Sequence, residues 1–128
     1  TFDPLCVFVR QTRWGIEEKT VEFPCGTVED GELPADAARR EFLEETGISI
    51  DNYLLEQVIS FNPNPAYFSN EMHIFKVMIP NLEGAFLNRD KQNLDKDEDC
   101  EVFINLLRNE KYELSSHNMG LISYLLLR

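Results

Sequence analysis

The chain has 128 residues, of which 43% are hydrophobic, a length and composition that predict one domain, 1–128, with a hydrophobic core of its own. It carries 12 basic and 23 acidic side chains, which gives a formal net charge of −11 at pH 7. This charge argues against a nucleic acid polymer as the partner, because such binding depends on a basic surface and on counterion release.

The cysteines and the hydropathy pattern bear on the location of the protein. Cys6, Cys25 and Cys100 are an odd number without the spacing of a metal site, and we interpret them as reduced thiols. No apolar run reaches the length of a membrane span, and no signal peptide opens the chain. The sequence therefore predicts a cytoplasmic protein that does not insert into a membrane.

Two strands are predicted before the first long loop. Leu5–Arg13 has strand composition, and Lys19–Phe23 places Val21 and Phe23 inward before the chain enters the loop at Pro24. In the first strand both faces carry apolar side chains: Val7 and Val9 on one, Cys6 and Phe8 on the other. These strands lead into a predicted helix.

The predicted helix begins at Pro34 and ends just before Gly47. Proline suits the first helical position, and glycine suits the left-handed position past the last turn. At about 100° per residue, Glu41, Glu44 and Glu45 lie within about a third of the helix circumference. The helix therefore carries three carboxylates on one face, near its C-terminal end.

This cluster of carboxylates is unfavourable unless a cation is bound. Like charges three or four residues apart destabilise a helix by about 0.2–0.5 kcal/mol per pair. Anions in the last turn oppose the helix macrodipole by about 0.3–1 kcal/mol each. Together these terms come to about 1–3 kcal/mol, and a divalent cation reverses their sign. The alternative interpretation is an acidic helix face exposed to solvent.

The donor atoms indicate which cation would bind. The cluster offers carboxylate oxygens and contains no histidine or thiolate, so it favours Mg²⁺, Mn²⁺ or Ca²⁺ over zinc. Magnesium is usually held by a few carboxylates and leaves its other positions to water and substrate phosphates. The sequence thus predicts a phosphate ester or anhydride as the substrate.

Further strands and a C-terminal helix are predicted after the cluster. Tyr53–Phe61 and Glu71–Ile79 are apolar and β-prone. Asn88–Asp99 is polar and charge-dense, which predicts an exposed and mobile loop before a short strand at Glu101–Asn105. Ser116 is the expected N-cap of a final helix, whose apolar stripe is Met119, Ile122, Leu125 and Leu126.

The residues around the first helix resemble the complete signature of the Nudix hydrolase family. The matching positions, within residues 26–48, are Gly26, Glu32, Arg40, Glu41, Phe42, Glu44, Glu45, Gly47 and Ile48. The resemblance implies an α/β (α+β) fold, an α/β/α sandwich with a mixed β-sheet, and a loop–helix–loop box that holds Mg²⁺ or Mn²⁺. It also implies hydrolysis of a nucleoside diphosphate linked to another moiety.

The resemblance assigns functional roles position by position. It implies that Glu41, Glu44 and Glu45 are metal ligands, together with the backbone carbonyl of Cys25. It implies that Glu32 acts through water or as an outer ligand. The predicted metal site thus combines the loop before the helix with the C-terminal half of the helix.

Arg40 is predicted to be one of the catalytic residues. The resemblance implies that it orients Glu41 and Glu44 through ion pairs. A general base is also needed, because carboxylates beside a metal have depressed pKa values. In the ADP-ribose branch of the family a glutamate on the loop before the late strand takes this role. Glu98 matches it in position, and Glu101 is the second candidate. The alternative is an acidic loop that is only solvated.

Three stretches resemble the ADP-ribose and nucleoside-diphosphate-sugar pyrophosphatase branch: Val9–Arg13, Val21–Gly26 and Pro63–Glu71. In the third, Ala66 replaces a glycine and one residue is extra. The resemblance implies substrate-binding roles for Arg13, Glu22 and Pro63. A solvated strand-edge arginine and a proline that only shapes a turn are the alternatives for Arg13 and Pro63.

Several single side chains have two interpretations. Trp14, Tyr67 and Phe68 offer aromatic faces that stack on a purine, with packing as the alternative for each. His73 lies inside an apolar strand, and we interpret it as a structural histidine. None of these residues by itself indicates a substrate.

The sequence and the resemblance together predict Mg²⁺-dependent hydrolysis of the pyrophosphate bond of ADP-ribose or a related nucleotide sugar. The products would be a nucleoside monophosphate and a sugar phosphate. The alternative is a nucleoside triphosphate pyrophosphatase that releases inorganic pyrophosphate. A third hypothesis is a nucleotide-binding sensor without turnover, although such modules typically lose the box glutamates that this chain keeps. A monomer and a homodimer both stay open.

Overall fold

The computed structural model describes residues 4–13, 18–62, 71–95 and 99–110. Its strands are β1 (Leu5–Arg13), β2 (Glu18–Glu22), β3 (Leu55–Phe61), β4 (Met72–Val77) and β5 (Glu101–Leu106). Its helices are α1 (Pro34–Thr46), α2 (Leu82–Leu87) and α3 (Leu107–Glu110). None of the helices within these ranges is long and apolar enough to cross a membrane.

The described strands form two sheets. In the first, β1 lies between β2 and β5, with Val9 opposite both Glu22 and Val102. In the second, β3 pairs with β4, and the register shifts between Gln57 and Ile59. The predicted combination of helices and strands is confirmed. The sequence predicts a mixed sheet, and each of the pairs between described strands is antiparallel.

One face of β1 carries the larger of two apolar clusters. Val7 and Val9 belong to this cluster, together with Ile48, Ile50 and Val102. Ile48 and Ile50 follow directly after α1 in the chain. The segment that leaves α1 is therefore anchored to the central strand by buried apolar contacts.

The other face of β1 carries a second apolar cluster. Phe8 is fully buried there and packs with Val21 and Leu107. Its ring stacks on the rings of Phe23 and Phe103, with centroid distances of 5.3 and 5.6 Å. Such ring pairs contribute about 0.5–1.5 kcal/mol beyond the area that they bury. The alternation predicted for β1 and the inward direction predicted for Val21 and Phe23 are confirmed.

α1 has the predicted ends. Pro34 is its first residue, and Gly47 ends it in the left-handed conformation, with φ of 76°. The N–H of Gly47 donates to the carbonyl of Leu43 at 2.8 Å. Ala37, Glu45 and Thr46 are buried, whereas Asp36 and Leu43, which are seven residues apart and share one face, are exposed.

The other elements differ from the prediction in detail. β3 begins at Leu55 rather than at Tyr53, because the N–H of Tyr53 donates to the carbonyl of Ile50 at 3.1 Å and closes a turn. α2 and α3 are not predicted, since their 6 and 4 residues are too few to show a helical period. The final helix predicted from Ser116 lies outside the described residues.

Candidate active site

A cavity of about 540 Å³ lies beside α1. Most of the residues that line it belong to the loop after β2 or to α1: Cys25, Gly26, Thr27, Glu29, Arg40, Glu41, Glu44 and Glu45. The rest of the lining comes from Gln11 on β1 and from the segment that precedes β5, which contributes Asn93 and Asp95. The carboxylates Glu41, Glu44 and Glu45, predicted from the sequence, are therefore brought together on one cavity.

Arg40 connects the loop to the helix. Its Nε and Nη2 donate to the two carboxylate oxygens of Glu32, at 2.9 and 3.0 Å. Its Nη1 donates to Glu41 at 2.9 Å and to Glu44 at 3.3 Å, and Nη2 also donates to the carbonyl of Thr27 at 2.9 Å. The hydrogen bond to Glu32, followed by that to Glu41, raises the pKa of Arg40 above its usual range. The ion pairs predicted for Arg40 are thus present.

The carboxylate of Glu32 is held by its two hydrogen bonds from Arg40. The hydrogen bond from Arg40, and then that from the backbone N–H of Glu29 at 3.1 Å, lower the pKa of Glu32. The N–H of Glu32 donates back to the carbonyl of Glu29 at 3.0 Å, across a turn that contains Gly31 with φ of 79°. In this structure Glu32 joins the loop to Arg40, and its role as an outer metal ligand stays a prediction.

The loop backbone lies directly against the glutamates of α1. The N–H of Cys25 donates to Oε2 of Glu45 at 3.2 Å, and Glu45 is only 8% exposed. At the next residue, Gly26, a Cβ atom would overlap the carboxylate of Glu41. A larger residue at position 26 would therefore displace the Glu41 side chain. The backbone of Cys25, predicted to supply a carbonyl to the metal, lies at the same corner of the cavity.

The residues of this cavity fit a hard divalent cation. Glu41, Glu44 and Glu45 supply carboxylate oxygens, which Mg²⁺ and Mn²⁺ prefer. Because Gly26 has no side chain, the Glu41 carboxylate can lie close to the loop backbone. Within the described ranges, no three acidic, histidine or cysteine side chains already stand in a metal-binding arrangement. Nη1 of Arg40 donates to both Glu41 and Glu44.

The two candidates for the general base fall in different places. Glu98 lies outside the described residues. Glu101 begins β5, its side chain is 64% exposed, and its Oε1 lies 3.8 Å from Nη1 of Arg10. Glu101 is not among the described residues that line the cavity. Both assignments stay predictions.

The chain next to Glu98 is fixed to β1. Asp99 accepts two hydrogen bonds from Thr12, one from the backbone N–H at 2.9 Å and one from the hydroxyl at 2.5 Å. These bonds, the hydroxyl first, lower the pKa of Asp99. Asp99, the residue after Glu98 in the chain, is therefore held at the C-terminal end of β1.

The predicted substrate-binding residues are not brought together by the described structure. Glu22 is buried, 3% exposed, and accepts a hydrogen bond from the hydroxyl of Thr20 at 2.5 Å. It is not among the described residues that line the cavity. Arg13 is the last residue of β1, opposite Glu18. Pro63 lies outside the described residues. The roles of Arg13, Glu22 and Pro63 stay predictions.

Of the four aromatic and histidine candidates, the structure describes His73 alone. Trp14, Tyr67 and Phe68 lie outside the described residues. His73 is in β4, with Nε2 3.6 Å from a carboxylate oxygen of Glu71, and its buried Nδ1 has no hydrogen-bond partner among the described residues. The structural interpretation of His73 stays a prediction.

Five residues of the cavity wall are missed by the sequence-based prediction: Thr27 and Glu29 inside the box, and Gln11, Asn93 and Asp95 outside it. Gln11 lies two positions before Arg13 on β1, and the two-residue period of a strand, applied to the sequence from Arg13, is a signal that could have pointed to Gln11. Asn93 and Asp95 reach the cavity because the segment before β5 runs alongside the C-terminal end of α1 and is hydrogen-bonded to it. Nothing in the local sequence indicates that path.

This chain is similar to known proteins over most of its length. The family model of the NUDIX domain matches residues 2–117. The chain is 33% identical over 96 residues to the ADP-ribose pyrophosphatase of Bacillus subtilis (strain 168), which covers 75% of this chain and 48% of that protein. It is 34% identical over 92 residues to the methanol dehydrogenase activator of Bacillus methanolicus, which covers 72% of this chain and 46% of that protein. The chain thus spans about half the length of these curated relatives.

A solved structure gives the same result for the fold. The crystal structure of an ADP compounds hydrolase superposes on 98% of this chain and 66% of its own, with a TM-score of 0.75 and 19% sequence identity. At this identity the likeness concerns the fold alone. The predicted fold class is confirmed by it. With the family model matched over most of its length, the chain belongs to the Nudix domain family.

Proposed function

We propose that this protein is a pyrophosphohydrolase that requires Mg²⁺ or Mn²⁺. Its substrate is a nucleoside diphosphate derivative, ADP-ribose or a related nucleotide sugar. The products are a nucleoside monophosphate and a sugar phosphate. Membership of the Nudix family supports the reaction class, and the similarity to an ADP-ribose pyrophosphatase supports the substrate class.

The charge of the cavity is the observation that carries this proposal. Among the described residues that line the cavity, Arg40 is the one basic residue. Five are acidic: Glu29, Glu41, Glu44, Glu45 and Asp95. The guanidinium of Arg40 is already bonded to three of the carboxylates around it. A pyrophosphate would be repelled by this set of charges, so substrate binding requires a divalent cation to convert an acidic cavity into an anion site.

The cation would be held by Glu41, Glu44, Glu45 and the carbonyl of Cys25, with Glu32 as an outer ligand. When bound, it would neutralise the charge that builds up on the phosphate oxygens and make water a better nucleophile. The protein supplies the orientation of these carboxylates. The residues Arg13, Glu22 and Pro63 are proposed to contact the nucleotide sugar.

The general base is proposed to be Glu98, with Glu101 as the reserve. Glu101 is exposed and close to Arg10, a position that favours a surface ion pair over proton transfer in the cavity. We expect Glu98→Gln to lower turnover while the affinity for Mn²⁺ stays unchanged. A normal rate in Glu98→Gln together with a lost rate in Glu101→Gln would reverse the assignment.

A substrate panel with product analysis tests the proposed function. ADP-ribose, other nucleotide sugars and nucleoside triphosphates are incubated with the protein and Mg²⁺, and the products are separated by anion-exchange chromatography. We expect a nucleoside monophosphate and a sugar phosphate. Release of inorganic pyrophosphate from a triphosphate would assign the alternative reaction, and binding of nucleotide without any product would assign a sensor. Excess EDTA is the control for metal dependence.

A further inference from the structure

The C-terminal end of α1 is covered by the segment 88–95. The last carbonyls of a helix have no partner within the helix and need other donors. Here the N–H of Asn93 donates to the carbonyl of Glu44 at 2.8 Å, and the N–H of Asp90 donates to the carbonyl of Gly47 at 2.8 Å. The carbonyl of Glu45 accepts a hydrogen bond from the side-chain amide of Gln92. Two of these carbonyls belong to proposed metal ligands.

Gln92 makes a second bond with the same nitrogen. Its Nε2 also donates to the carbonyl of Cys100 at 2.9 Å. Cys100 is buried in the apolar cluster beside β1 and directly precedes β5, which pairs with β1. An amide nitrogen has two hydrogens, so one group can serve both acceptors. Gln92 therefore ties the end of α1 to the central sheet.

The fit between segment 88–95 and α1 is close. A Cβ atom at Gly47 would overlap the carbonyl of Asp90, so only glycine allows this approach. Gln92 itself is half-buried, whereas Lys91 and Asn93 on either side are exposed. The one inward-pointing side chain among these three is thus the one that binds the helix carbonyl.

We propose that Gln92 is a positioning residue of the active site. By fixing the backbone at Glu45 relative to Cys100, its amide sets where the carboxylates of Glu44 and Glu45 stand in the cavity. Groups that orient metal ligands from outside typically change metal affinity or activity by about 10–100-fold when they are removed. The inference rests on the proposed function, because it concerns the placement of the same carboxylates.

The test replaces the amide and measures Mn²⁺ binding without substrate. Gln92→Met keeps the length of the side chain and removes both donated hydrogen bonds. Gln57→Met is the matched control, since Gln57 is an exposed glutamine on β3. The dissociation constant for Mn²⁺ is measured by electron paramagnetic resonance, and thermal unfolding is followed in EDTA. We expect Gln92→Met to weaken Mn²⁺ binding by about tenfold or more and Gln57→Met to leave it unchanged.

A purely structural role would give a different pattern. The melting temperature in EDTA would fall while folded Gln92→Met bound Mn²⁺ as tightly as the wild type, and this result would overturn the proposal. If Gln92→Met does not fold, Gln92→Asn is measured in its place, because its amide is one methylene shorter and no longer spans the two carbonyls. The same tenfold criterion then applies to Gln92→Asn.

The kinetics separate this proposal from the proposed function. If turnover exists, Gln92→Met should need more Mn²⁺ for half-maximal rate, and saturating Mn²⁺ should restore most of kcat. Wild-type protein that binds Mn²⁺ but hydrolyses none of the substrates would contradict the proposed function alone. Wild-type and Gln92→Met proteins with equal Mn²⁺ affinity would contradict the role of Gln92 alone.

Discussion

Arg40 donates to both carboxylate oxygens of Glu32, at 2.9 and 3.0 Å, while its remaining nitrogen contacts Glu41 at 2.9 Å. Glu32 therefore fixes the plane of the guanidinium, and the guanidinium in turn fixes Glu41. A planar group with donors on two edges is needed for both contacts at once. The arrangement explains why an arginine stands at this position of the Nudix box.

Arg40→Lys should impair the site although the charge is kept, because a lysine ammonium has no planar fork. We expect a loss of turnover of about 10–100-fold, as for other groups that orient metal ligands. Steady-state kinetics with saturating Mg²⁺ measure it. Arg39→Lys is the control, since Arg39 donates to the carbonyls of Ile50 and Tyr53 and not to the glutamates. Equal losses in the two variants would contradict the orienting role of Arg40.

Glu44→Gln should abolish metal-dependent turnover while the fold survives. The side chain is about one-third exposed at 34%, so the amide fits in the same space, but it no longer carries the charge that binds a cation. Because outer-shell groups already matter by about 10–100-fold, we expect a loss larger than a hundredfold. Product formation and circular dichroism are measured on the same sample. A near-normal rate would show that Glu44 is not a ligand.

Gly26→Ala and Gly31→Ala should affect different properties, Mn²⁺ binding in the first variant and stability in the second. A Cβ at Gly26 would displace the Glu41 carboxylate, whereas a Cβ at Gly31 meets no atom within 4 Å. Gly31 has φ of 79°, so alanine there is strained by about 1–2 kcal/mol. We expect Gly26→Ala to weaken Mn²⁺ binding with little change in stability, and Gly31→Ala to lower stability with Mn²⁺ binding unchanged. Titration with Mn²⁺ and urea denaturation measure the two effects, and the reverse pattern would contradict the close contact.

The contrast between local and long-range features explains how much of this structure is predictable from the sequence. The ends of α1 follow from Pro34 and Gly47 themselves, because these residues fix their own backbone conformations. The spacing of the box glutamates likewise follows from the helical period. The bond from Gln92 to Glu45 joins residues 47 apart in the chain, and no local pattern encodes it. The place of Asn93 in the cavity depends on that same long-range path.

Thr12→Val should reduce the acid dependence of stability. The Thr12 hydroxyl helps to lower the pKa of Asp99, so it stabilises the folded state above the unfolded-state pKa of about 4. This contribution is lost as the pH falls through the lowered pKa of the folded state. We expect wild-type protein to be more stable than Thr12→Val at pH 7 and the difference to shrink below about pH 3. Urea denaturation at both pH values measures it, and a constant difference would contradict the linkage.

Anomalous diffraction from crystals soaked with Mn²⁺ and a nucleotide sugar is the most direct measurement, because it locates the cation and the pyrophosphate in one experiment. We expect an anomalous peak between the carboxylates of Glu41, Glu44 and Glu45, with the pyrophosphate beside it. Saturating Mn²⁺ without any peak at these carboxylates would contradict a metal-dependent hydrolase.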